Sequence, residues 1–147
     1  MLAYDPSAYP LNQNEWSFPV CEVFHIVSFA IAISTVAMVD LRLLGLAFTS
    51  QPASKIWKDT APWTLVGLVI VLISGPLIFF SDPVMYTYNL SFRFKMGALL
   101  LAILFNYTIQ RKVALSDSSG ALAKLTAVLS LGLWVSVVAG GLFIAFV

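Results

Sequence analysis

The fold class predicted for this chain is an all-α integral membrane bundle of four helices with both termini outside, and three observations predict it. The 147 residues are 60% hydrophobic and 10% charged, with a mean hydropathy of +0.92. Soluble domains hold about half apolar and a quarter charged residues, so this composition belongs in lipid. The apolar runs are also long and continuous rather than alternating over about ten residues, which favours helices over a closed barrel, the two architectures that satisfy every backbone group in a bilayer. Lastly, four segments approach the ~20 apolar residues that a span requires.

Residues 1 to 18 form a polar leader with Pro6 and Pro10. Lacking a positive n-region and an apolar h-region, it is expected to lie outside the bilayer rather than to act as a cleavable signal. Pro19 opens the first span, 19 to 48, which exceeds a bilayer's need and must tilt or extend into water. Pro62 opens the second, 62 to 81, and Pro76 within it removes a backbone donor, which bends a helix. Asp82 and Pro83 separate it from the third, 91 to 111. The turn-rich "SDSSG" at 116 to 120 precedes the fourth, 122 to 147. A single domain of 1 to 147 is expected.

Orientation follows from Lys and Arg near the span ends. Arg42, Lys55, Lys58, Arg111, Lys112 and Lys124 fall on one side, and only Arg93 and Lys95 on the other. The positive-inside rule then places the first side in the cytoplasm. Trp16, Trp57, Trp63, Tyr86 and Tyr88 fall near the expected interfaces, whereas Trp134 lies deep in the fourth span.

Helices in lipid associate by close approach at small residues. Gly132, Ser136 and Gly140 are spaced by four and read as a contact face, within the bundle or toward another protomer. Gly67 and Gly75 share a face of the second span. The plainer alternative is that glycine is simply common in membrane helices.

Ionisable groups inside spans are functional hypotheses by default. The first span holds Glu22 and the only histidine, His25, roughly 60° apart around a helix. Asn89, Lys95 and Met96 of the third span are expected at comparable depth, so Glu22, His25, Asn89 and Lys95 form the candidate polar cluster. His25 can serve as an axial ligand to haem b with Glu22 behind it; the second ligand would then be Met96, Met85, a second copy's His25, or nothing. Copper is a second reading, since imidazole and thioether both suit it, although Cys21 faces away from His25 on a helix. A proton relay or transporter gate is a third. Without a cofactor, His25 and Glu22 are wetted polar groups near the interface, and Lys95 snorkels to the surface. The inner end of the first span, "MVDLRLLG", carries Asp40 and Arg42 as an anchor. About 200° apart, they are no same-face ion pair, and Asp40 is expected to cap or pair with a neighbouring helix or loop. Asp40 lies roughly 22 Å along the axis from His25, too far for one site. Asn106 is a candidate for a hydrogen bond across the bundle.

The composition also excludes several functions. One cysteine permits no internal disulfide, and neither CxxCH nor CxxC occurs. A net charge of +1 with no basic cluster gives nucleic acid no footprint. No nucleophile–base pair, phosphate-binding glycine loop or HExxH points to soluble-type enzymology. If redox-active, the chain would be an electron carrier. The expected partners are the lipid bilayer and either further copies of the chain or other membrane subunits; a non-catalytic assembly subunit and a small proton-coupled transporter are the competing functions.

"FPVCEVFHIVSFAIAISTVAMVDLRLLG", "GPLIFF" and "YNLSFRFKMGALLLAILFN" resemble a bacterial family of small four-span inner-membrane proteins of unknown function, itself distantly similar to the copper-resistance D membrane proteins. The likeness covers about residues 16 to 145 and marks Glu22, His25, Asp40, Arg42, Gly45, Asn89 and Lys95. It implies the four-span architecture and a link to envelope metal or redox chemistry. The additional histidines of the copper-resistance family are missing here.

Overall fold

A computed structural model describes residues 4 to 146, and every described regular element is helical. Four helices are long and apolar enough to cross a membrane: Ser17–Leu44, Ala53–Phe79, Leu90–Leu115 and Ala121–Phe146. They are the first to fourth spans below. Position 147, expected in the fourth span, and positions 1 to 3 of the leader lie outside the described residues.

The first span stops at Leu44 because Gly45 adopts the left-handed region at φ 74°. Its N–H donates to the Arg42 carbonyl, and Leu46 N–H donates to that of Leu41. These are the paired bonds of a Schellman stop, which a residue without Cβ makes at least strain. The helix therefore ends four residues before the position 48 expected from hydropathy.

The second span begins at Ala53, nine residues ahead of the expected start, and encloses both Pro62 and Pro76. Hydropathy could not find this first turn because Lys55, Lys58 and Asp59 make it polar. Its helicity is supported from another loop: Asp117 accepts from Ser54 N–H and Ser54 Oγ, both at 2.9 Å. A carboxylate satisfying an orphan amide near a helix N-terminus is a favourable electrostatic arrangement. The Ser54 amide bond, then its hydroxyl bond, holds the Asp117 carboxyl below its ordinary value.

The leader folds over the opposite end of the second span. Tyr4 donates its hydroxyl to the Phe80 carbonyl, Tyr9 to Leu77 O at 3.0 Å, and Asn12 Nδ2 to Ser81 O at 2.8 Å. Carbonyls in and just beyond a last helical turn lack intrahelical donors, and the leader supplies them. A short helix, Pro83–Tyr88, follows, capped by Asp82 on Met85 N–H. Asn89 then caps the third span through Phe92 N–H and donates to Ile144 O at 2.8 Å, which ties the start of the third span to the end of the fourth.

The third span is continuous, but Asn106–Gln110 is wound as a π-helix. Four residues at ~100° overshoot a turn by ~40°, so a strict α-helix would carry a four-residue row progressively off the interior. The wider turn cancels that drift. Ala102, Asn106, Gln110 and Ala114 are all buried, at 1%, 3%, 1% and 0% exposure.

The first span is the organiser, packing against the second and the fourth, while the fourth also packs along the third. Gly67 sets the first crossing: a Cβ there would lie 2.7 Å from Ser28 O and 3.0 Å from Ala32 N. Gly140 does the same for the third and fourth, with a Cβ meeting Lys95 Cβ at 3.0 Å. Gly132 is different, being exposed with nothing near its Cβ position, and Ser136 Oγ bonds back to Gly132 O. The stripe is therefore divided within the chain: its Gly140 end packs on the third span and its Gly132 end looks outward. An apolar layer of Ala32, Val36, Leu68, Ala98, Leu99, Ala102, Trp134 and Val137 fills the middle, with Phe29 against Trp134 at 6.1 Å between ring centres. Trp134 thus serves the core rather than an interface.

Candidate functional site

The spans bring polar side chains together at two levels, one on each side of that apolar layer. At the level of the leader, His25 turns inward and Glu22 does not. His25 Nδ1 lies 2.7 Å from Ser74 Oγ, and the ring edge faces Gly75. Ser74 gives its single hydrogen to Ile70 O at 2.7 Å. Its oxygen therefore accepts from Nδ1–H, which leaves the lone pair of a neutral imidazole on Nε2.

Glu22 is exposed, on the side near Tyr86. Lys95 is half-buried, its stem lying along Gly140 and Gly141. No ion pair joins it to Glu22; among the described residues the one salt bridge is Lys55–Asp59. Asn89 is buried as the cap of the third span. Met96 and Met85 are 47% and 45% exposed. Among the described residues, no three His, Cys, Asp or Glu side chains gather as a metal-ligand set.

The second level is built more completely. Asp40 has 0% exposure. Gln110 Nε2 donates to its Oδ1 at 2.6 Å, and Ser130 Oγ donates to its Oδ2 at 2.6 Å. Gln110 Nε2 also lies 3.3 Å from Ser130 Oγ, closing a triangle across the first, third and fourth spans. Arg42 takes no part, donating from Nε to Gln51 O at 2.5 Å in the loop. Asp40 is thus a buried carboxyl held by neutral donors with no cation beside it, an arrangement in which its proton can change without breaking an ion pair.

Beside this triangle is a cavity of about 10 Å³, walled by Val36, Val39, Trp57, Thr60, Ala61, Thr64, Asn106, Tyr107 and Gln110. Asn106 Oδ1 and Tyr107 OH are buried here without a hydrogen-bond partner. The expected bond from Asn106 across the bundle is not made by this oxygen. Thr35 and Thr64, 2.7 Å apart, continue the polar lining toward the apolar layer. Gln110, Ser130, Thr60 and Tyr107 went unnoticed in the sequence. The one signal was the spacing of Asn106 and Gln110, two amides four residues apart in an apolar run.

Four long apolar helices enclosing buried polar centres define a multi-pass membrane protein. The chain belongs to a family of unknown function (DUF6644), whose profile matches residues 18–147. No curated protein and no solved structure matches it. A likeness to the copper-resistance D proteins is not shown.

Proposed function

We propose that this chain is a small proton-coupled membrane protein of the bacterial inner membrane, with Asp40 as the group that takes up and releases the proton. The observation that carries the reading is a carboxyl of 0% exposure, bonded only by Gln110 and Ser130, in a helix long enough to span a bilayer. Six of the eight basic residues lie at the Asp40 end of the spans, which supports placing that end in the cytoplasm and both termini outside. The apolar layer suits such a role, since a coupled protein must block free leakage between its two levels.

The test is proton flux in liposomes under an imposed pH gradient. Reconstituted wild type is expected to dissipate the gradient about tenfold faster than Asp40→Asn, which keeps the side-chain shape and one acceptor oxygen for Gln110 while its NH2 faces Ser130 Oγ, a hydroxyl that can accept as well as donate. Equal rates for the two would overturn the reading and leave the triangle as a packing device of a non-catalytic subunit.

A second reading, haem b at the other level, is favoured by Ser74 holding Nδ1 of His25 so that Nε2 carries the lone pair. Its second axial ligand would be Met96, Met85 or His25 of a second copy. Gently purified protein should then show a Soret band that His25→Ala abolishes; a band that survives that substitution places the haem elsewhere, and no band removes this reading.

A further inference from the structure

We propose that Tyr107 gates the passage of water from the basic end of the bundle into a single-water cavity beside the Asp40–Gln110–Ser130 triangle. The proposal rests on the reading of Asp40 as a proton-exchanging group, and it adds the route by which water comes to the Gln110 side of that group.

The cavity's size and chemistry select its occupant. About 10 Å³ is the room of a single water by this measure. The two orphaned atoms are complementary: Asn106 Oδ1 needs a donor, and the Tyr107 hydroxyl needs somewhere to place its hydrogen. One water donates to the first and accepts from the second. A metal cation would satisfy Asn106 but leave the tyrosine hydrogen without an acceptor. Gln110 lines the same cavity and donates to Asp40, so the water stands one side chain away from the carboxyl.

Tyr107 also lines a second space. A shallow surface hollow of about 400 Å³ is bounded by Tyr107, Thr108, Arg111, Lys112, Leu115 and Ser116 at the basic end. One residue therefore borders both the cavity and the open hollow. Its backbone lies in the π-helical turn, a feature found frequently at functional sites in helices. Trp57 completes the inner wall and is braced by Arg111, whose guanidinium carbon sits 5.5 Å from the indole centre. Rotation of the Tyr107 ring would join hollow to cavity and leave this brace in place.

Silver ions, small enough to follow a single-file water path, can probe this route through a thiol inside the cavity. In a Cys21→Ser background, Thr60→Cys is nearly isosteric and points a thiol into the wall. Adding Tyr107→Ala is expected to raise its rate of reaction with silver at least about tenfold, whereas Tyr107→Phe, which keeps the ring, should hold it within about twofold. Ser74→Cys, at the other level, should not respond to Tyr107→Ala. Should Tyr107→Ala not fold by circular dichroism, Tyr107→Leu provides the opening. A Thr60→Cys rate that stays within about twofold on removal of the ring, or a Ser74→Cys rate that rises equally, overturns the gate. Because the thiol rate does not depend on Asp40, loss of the gate and loss of the proton reading are told apart by the liposome measurement.

Discussion

Gly67→Leu is expected to unseat the first span from the second and to destabilise the folded bundle by about 3 kcal/mol, the upper end of what overpacking a filled interior costs. The first added carbon alone would sit 2.7 Å from Ser28 O and 3.0 Å from Ala32 N, both backbone atoms. No rotamer relieves a backbone clash, so the helices must separate. Separation exposes Ser28, Ala32 and Leu68, which are now buried, and it disturbs the His25–Ser74 and Thr35–Thr64 contacts on either side of the crossing. Gly140→Leu should act similarly at the third and fourth spans, with some relief because part of its contact is with the Phe94 and Lys95 side chains. Gly132→Leu is the control, since its Cβ would meet nothing within 4 Å. Unfolding in detergent mixtures, followed by circular dichroism, should rank them Gly67, Gly140, Gly132. A Gly132 variant as unstable as Gly67 would show that the outward end of the stripe is buried by a second copy or another subunit.

Truncating Asp40 should produce the second largest effect, and its pattern separates structure from function. Asp40→Ala leaves the Gln110 amide and the Ser130 hydroxyl as buried donors around a hole, at a cost of about 2 kcal/mol. Single interhelical hydrogen bonds in membranes average only ~0.6 kcal/mol, so the orphaned donors and the lost volume, rather than the bonds themselves, should dominate. Ser130→Ala orphans only Oδ2 of Asp40 while Gln110 still satisfies Oδ1, and it is accordingly expected to cost about 1 kcal/mol, less than Asp40→Ala. Replacing the triangle as a whole, by Asp40→Leu with Gln110→Leu and Ser130→Ala, removes every donor together with its acceptor. Stability should then return to within about 1 kcal/mol of wild type, as it does when buried polar networks are exchanged for apolar side chains. Proton flux should not return with it. A triple variant that is stable and still passes protons would move the function away from Asp40. One that stays as unstable as Asp40→Ala would mean that the triangle directs how the three helices fit.

Much of the architecture was legible because lipid leaves so few alternatives. Where no water is present to bond the backbone, an apolar run of this length must be helical, and the four runs appear as four spans. The sequence marked Asp40 in "MVDLRLLG" as a group in need of a partner on a neighbouring helix or loop, and the structure gives it Gln110 and Ser130. The helix starts were less legible: the polar first turn of the second span gains its amide partner from Asp117, 63 residues away in sequence from Ser54.

What the sequence determined by itself was therefore everything that depends on composition and on neighbours along one helix: the membrane setting, the number of spans and the list of ionisable residues inside them. Only the tertiary structure decided which of those residues meet. Glu22 and His25 are one turn apart, yet a difference of ~60° around a helix is enough to place one on the outer surface and the other against Ser74. Gln110 and Ser130 lie 70 and 90 residues from Asp40, and their approach depends on a π-helical turn that rephases the third span and on glycines that let the backbones close. Helix rotation and crossing are set by the fit of all four surfaces at once, and no single segment of sequence carries that information.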